Sequence, residues 1–142
     1  MTLQDQKVSQ RIRLATLWAS LTSCYIYCDY FELYQPGKLQ SMLSGIFGPM
    51  GQTTQGILFS ASVMLAIPAI MISLCTFLSP NLCRVTNMAL GVVYTVIMAA
   101  VLPGTWYYYK MFAIIEIYIS LTIAWLAFKW PRVQPSGAES AA

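Results

Sequence analysis

Three carboxylates carry most of the chemical potential of this chain: Asp29, Glu32 and Glu116. Each lies in or beside a long apolar run, where an ionisable side chain is expensive and is a functional-site candidate by default. The sequence has no histidine. That removes the commonest general base, the commonest zinc ligand and the usual haem ligand together. Proton or cation handling then falls to the carboxylates and to nearby hydroxyls. Tyr25 precedes Asp29 by four positions, Ser120 follows Glu116 by four, and Tyr94 lies in a third apolar run. Two carboxylates close together in a low dielectric cannot both carry charge cheaply. Such a pair would hold a proton, a cation, or the cationic end of a small amphiphile. In the plainer alternative, Glu116 stays neutral against a tyrosine and serves helix specificity only; both readings are open at this stage.

The other reactive residues say less. Cys24 and Cys28 share a helical face but do not form a C-x-x-C redox pair. Cys75 is expected near the inner end of the second apolar run and Cys83 in the link after it. Thiols so dispersed, with no imidazole partner, do not read as a metal site, and buried free thiols are the expectation. The eight methionines scatter along the chain, as gap-filling core residues do. Pro68 interrupts an apolar run, where it frees a carbonyl and can shape a cavity or simply kink the helix. No cofactor motif and no catalytic motif is present, so an enzyme is the less favoured class.

The elements that must position these residues follow from composition. Of 142 residues, 58% are hydrophobic and 9% charged, against roughly half and a quarter in soluble domains. The formal charge of +3 is too thin for a nucleic-acid footprint. A spanning helix needs about 20 mostly apolar residues. Four stretches qualify, at 13–34, 56–78, 86–107 and 111–129. The expected fold class is therefore all-α: a single polytopic membrane domain over 1–142, built as a four-transmembrane-helix bundle. The first stretch does not read as a cleavable signal peptide, since it carries Asp29 and Glu32 and lacks a small-x-small cleavage site. Between the first two spans, Leu39, Met42, Leu43, Ile46 and Phe47 recur at helical spacing, which predicts a short amphipathic interfacial helix over 38–47. The link Pro80–Arg84 is short, so spans two and three are expected to be antiparallel neighbours, as are three and four. The first ten residues and the tail 133–142 read as mobile.

Lys7, Arg11, Arg13, Arg84, Lys129 and Arg132 fall on one side of these spans, and Lys38 and Lys110 on the other. Six against two places both termini in the cytoplasm. Helical periodicity then assigns faces. Span one presents Trp18, Thr22, Tyr25, Asp29 and Glu32. Span three presents Asn87, Gly91, Tyr94, Thr95 and Met98. Span four presents Ala113, Glu116, Ser120, Ala124 and Ala127, a stripe of small residues that permits close helix approach. Convergence of the three stripes would make Asp29, Glu116, Tyr25 and Tyr94 neighbours, with Glu32, Lys38 and Lys110 at the outer mouth and Ser120 behind Glu116.

The run from Tyr25 to Gly37, with Gly45-Ile46-Phe47-Gly48-Pro49-Met50-Gly51 and Thr54-Gln55-Gly56, resembles an uncharacterised family of bacterial four-helix integral membrane proteins, a domain of unknown function. In size and number of spans the chain is also similar to the DoxX-like group. The closer resemblance implies a bacterial plasma (inner) membrane and carries no activity or site residues with it. Three functions compete. The first is a protein that binds or passes a small ligand, proton or cation through an outer-leaflet pocket lined by Asp29 and Glu116. The second is a non-catalytic accessory or assembly subunit of a membrane complex. The third is a quinone- or lipid-linked membrane enzyme. The partners these imply are the lipid bilayer, a small hydrophobic or cationic ligand, and a second copy or another membrane protein; no nucleic acid and no cofactor is expected.

Overall fold

The computed structural model describes residues 7–103 and 106–131. Arg132, the tail 133–142 and the first six residues lie outside the described residues. The described residues form five α-helices: α1 (Gln10–Glu32), α2 (Lys38–Leu43), α3 (Gln55–Phe77), α4 (Pro80–Val101) and α5 (Tyr107–Phe128). The fold class is all-α, and α3, α4 and α5 are each long and apolar enough to cross a membrane. α1 is equally long, but Ser, Thr and Tyr residues and Asp29 dilute its apolar content below that of the other three.

Local chemistry sets the helix ends. Ser9 and Thr54 accept hydrogen bonds from the backbone N–H groups of Ile12 and Ile57, satisfying first-turn donors that have no partner within the helix. Pro80 occupies the first turn of α4, where its fixed φ suits the helix and no N–H is needed. α4 therefore starts six residues before the expected position 86, and only Leu78–Ser79 separates it from α3. Cys83, expected in the link, is consequently a buried helical residue. α2 is shorter than the expected 38–47: the chain turns at Gly45, whose φ of 73° lies in the left-handed region that glycine adopts freely. Beyond it, a bridge between Ile46 and Gln52 folds the chain around a 3₁₀ turn at Gly48–Met50. Two hydrogen bonds brace this loop, from Phe47 N–H to the Gly51 carbonyl and from Thr53 N–H to the Gly45 carbonyl. The connection is ordered, and it brings Phe47 and Met50 back over the bundle.

The helices pack in the spatial order α3, α1, α5, α4. α4 and α5 are antiparallel neighbours, as expected. α3 and α4, expected to pack as antiparallel neighbours, approach each other only weakly, and the main packing partner of α3 is α1. The buried face of α1 runs Leu14, Trp18, Leu21, Tyr25 and Cys28. It shares Trp18 and Tyr25 with the expected polar stripe but is turned toward Leu21 and Cys28, because α1 is wedged between α3 and α5. Large apolar side chains point outward instead, among them Phe59, Ile70, Phe77, Val96 and Ile114. Exposed apolar surface on this scale marks a contact with lipid or protein.

At the end of the bundle holding the N-terminus, side chains satisfy the last carbonyls of α3 and α5. Arg11 donates to Thr76 O at 2.9 Å, Gln10 to Leu126 O at 3.0 Å and Arg84 to Ala127 O at 3.2 Å. Cations there also face the negative ends of two helix dipoles.

The tightest approach is between α4 and α5. A Cβ added at Gly91 would sit 2.9 Å from both Ala124 N and Ser120 O, so glycine is required by backbone proximity. Gly91→Ala is expected to destabilise the protein by about 1–3 kcal/mol through overpacking, measured by reversible unfolding in mixed detergent micelles. Gly56→Ala, whose added carbon meets only the Thr54 side chain at 3.9 Å, serves as the control and should change little. Equal effects at the two glycines would contradict the close approach.

Candidate functional site

Two polar clusters lie inside the bundle at different depths. The inner one centres on Asn87, which is fully buried. The Trp18 indole N–H donates to Asn87 Oδ1 at 2.7 Å, and Asn87 Nδ2 donates to Cys83 O at 2.7 Å. The Cys75 and Cys83 sulfurs complete the shell at 3.6 and 3.4 Å from Nδ2. Buried polar groups need such partners, and here Asn87 uses both its donor and acceptor ends. The cluster ties α1, α3 and α4 together. Sequence spacing had scattered the two cysteines; extending α4 back to Pro80 is what brings them together. All four cysteines are free thiols.

Between the clusters lies a bond that depends on Pro68. Proline has no N–H, so the Met64 carbonyl one turn earlier loses its helical donor. The Tyr94 hydroxyl donates to Met64 O at 2.5 Å. A carbonyl without a partner in apolar surroundings would be costly, and this bond removes that penalty while spanning α4 and α3. Tyr94 is thus committed to a backbone carbonyl. Its ring also packs edge-on against Trp18, with centroids 5.9 Å apart, and lies 6.2 Å from that of Tyr25.

The outer cluster is built differently. Tyr25 and Cys28 of α1, Met64 of α3, Met98 of α4, and Tyr109 and Glu116 of α5 surround a cavity of about 260 Å³. Phe47 and Met50, carried by the loop after α2, also line it. Glu116 is 2% exposed and Tyr25 is 7% exposed. Among the described residues, neither Glu116 Oε1 nor the Tyr25 hydroxyl has a hydrogen-bond partner. Leaving a buried polar atom unpaired costs about 1–3 kcal/mol, more for a charged group. The contrast with Asn87 is local: about two turns away along α1, both ends of that amide are matched.

The expected site residues separate into three groups. Glu116, Tyr25 and Asp29 line the same cavity. Asp29 is at its exposed rim, not in the interior, because the inward position on that turn of α1 belongs to Cys28. Asp29 also borders a second cavity of about 300 Å³ along the outside of the α1–α3 seam. Glu32 lies farther out in an ion pair with Lys38. Ser120 is buried but donates to the Glu116 backbone carbonyl at 2.7 Å, so it belongs to the α4–α5 contact beside Gly91. Tyr94 forms the bond to Met64 below the cavity.

Tyr109, Met64, Ser60 and the two loop residues were not expected at the site. Tyr109 had the aspect of an interfacial anchor, yet it falls seven positions before Glu116, two turns along the same face. Ser60, Met64 and Pro68 likewise share one face of α3 at spacings of four. Periodicity could have indicated both. Nothing in the local pattern indicates that Phe47 and Met50 fold back over the bundle.

Tyr94→Phe is expected to cost about 1–3 kcal/mol by leaving the Met64 carbonyl unpaired. In a Pro68→Ala background the restored backbone N–H can bond that carbonyl, so the same substitution should cost much less. A double-mutant cycle on unfolding free energies tests this; strictly additive effects would argue against the shared carbonyl.

A model for a family of unknown function (DUF6326) matches residues 1–136 of this chain. No curated protein and no solved structure matches.

Proposed function

The chain belongs to that family of unknown function, and from its outer cavity we propose a small membrane protein of four spans that binds or passes a small ligand, proton or cation. The observation that carries this reading is the pair of buried, unpaired oxygens, Glu116 Oε1 and the Tyr25 hydroxyl, on one cavity. Structural polar groups are normally satisfied, and those elsewhere in this interior are. A bound proton, ion or polar ligand head is what such an arrangement lacks. Asp29 at the rim would guide the cation or proton toward Glu116.

The proposal includes α1 as the fourth span. Its 23 residues extend about 35 Å at 1.5 Å per residue, enough for a hydrocarbon core of about 30 Å. Its serine and threonine hydroxyls bond back to its own helix: Thr16 to Arg13 O, Ser20 to Thr16 O, Thr22 to Trp18 O and Ser23 to Ala19 O. Satisfied internally, these groups present little polarity to lipid. Its charges lie near its ends, with Arg11 bonded to α3 and Glu32 paired with Lys38. The proposed setting is a bacterial plasma membrane with both termini cytoplasmic, so that the cavity opens toward the outer leaflet. α2, with Leu43 and Leu39 exposed, would lie on the outer membrane surface.

Reporter fusions at the two ends should both report the cytoplasmic side; ends on opposite sides would remove the fourth span. The site is tested with a hydrophobic carbodiimide, which forms adducts with carboxyl groups that can take up a proton in apolar surroundings. With the full chain in lipid vesicles, mass spectrometry should locate an adduct at Glu116, lost in Glu116→Gln. If Glu116 stays unmodified, the cavity is sealed and the binding role fails.

A further inference from the structure

We propose that the outer cavity recognises a protonated primary amine carried on a compact apolar body, admitted from the lipid side between α1 and α3. This rests on the ligand-binding reading of the same cavity and specifies its ligand class.

The polar groups that line the site are two carboxylates, hydroxyls and the Cys28 thiol, and the Ser60 hydroxyl already donates to the Gly56 carbonyl. Glu116 Oε1 and the Tyr25 hydroxyl are buried without partners, and the Asp29 carboxylate stands at the rim of the same cavity. No lysine or arginine lines it. The two lysines near this end of the bundle are placed elsewhere: Lys38 pairs with Glu32, and the Lys110 ammonium lies 5.7 Å from the centre of the Tyr107 ring. A ligand that brings its own positive charge and its own donors is therefore favoured over an anion or a neutral acceptor. A primary ammonium brings three N–H donors on one cationic centre, enough to serve both unpaired oxygens.

The walls narrow the class further. Met64, Leu65, Met98, Phe47 and Met50 supply apolar, adaptable surface. A hard metal ion would exchange its water shell for few oxygens and many carbons there, against its preference for six or more oxygen ligands. An organic cation gains from the same walls, and the tyrosine rings can attract it through their faces. At about 260 Å³ the cavity lies at the small end of ligand pockets, which suits a body of about one ring. The second cavity, about 300 Å³ along the α1–α3 seam, shares Tyr25, Asp29 and Leu65 with the first. Its α3 wall is small: Ser62, Ala66 and Ala69. An amphiphilic amine already partitioned into the bilayer would enter along that seam and meet Asp29, which borders both cavities.

The test uses the full chain in lipid nanodiscs and three probes of matched body: 2-phenylethylamine, its N-trimethylated analogue and 2-phenylethanol. Calorimetric titration should show the primary amine binding at least tenfold more tightly than either the alcohol, which lacks the charge, or the quaternary analogue, which lacks the donors. Glu116→Gln should weaken amine binding tenfold or more. Asp29→Asn, at an exposed position that does not threaten folding, should weaken it severalfold without altering the binding of the alcohol. Equal binding of amine and alcohol, or amine binding indifferent to both substitutions, overturns the proposal. Carbodiimide modification of Glu116 combined with no amine binding removes the amine and leaves the cavity as a binding site. An unreactive Glu116 removes both.

Discussion

A polar group buried in this bundle costs free energy unless it finds a partner, and the Met64 carbonyl shows how far that constraint reaches. Pro68 takes away its helical donor, and the Tyr94 hydroxyl from α4 replaces it. The bond holds α3 to α4 at mid-height although the main packing surface of α3 lies against α1. Below it, Asn87, Trp18, Cys75 and Cys83 close the interior with matched donors and acceptors. Above it, the helices surround the cavity that carries Glu116 and Tyr25. Met64, which lines the site, is therefore held by a tyrosine whose polar end is already committed.

The opposite wall depends on a second constraint. Gly91 lets the α4 backbone come against Ser120 and Ala124 of α5, and Ser120 returns its hydroxyl to the Glu116 carbonyl. With its hydroxyl proton given to that carbonyl, Ser120 does not donate to the Glu116 side chain. The small residues of α5 thus do two things: they permit the tight helix pair, and they leave the buried carboxyl to find a partner on the cavity side. The inner cluster, by contrast, supplies Asn87 with both a donor and an acceptor.

The outer end combines order with access. The loop after α2 is braced by backbone bonds across Gly45–Thr53 and Phe47–Gly51, and it sets Phe47 and Met50 against the cavity. The Glu32–Lys38 pair ties the end of α1 to the start of α2, next to that loop. Along the seam between α1 and α3 runs the second cavity, which shares Tyr25, Asp29 and Leu65 with the first. In the proposed role, that flank would admit a ligand from the bilayer.

Much of this was legible in the sequence for physical reasons. Low charge and long apolar runs determine long helices in apolar surroundings, because backbone groups there must bond within their own helix. The 3.6-residue period determines which residues share a face, and so Asn87, Gly91, Tyr94 and Met98 were assigned together to one side of α4 and are buried there. Absence of histidine left carboxylates and tyrosines as the groups able to handle charge. Periodicity does not, however, fix how far a helix turns about its own axis. Only the wedging of α1 between α3 and α5 decided that Cys28 points inward and Asp29 sits at the rim. Only packing across the chain could match Tyr94 to a carbonyl thirty residues away, or fold Phe47 and Met50 over Glu116. Those pairings depend on distances between helices, which local sequence chemistry does not contain.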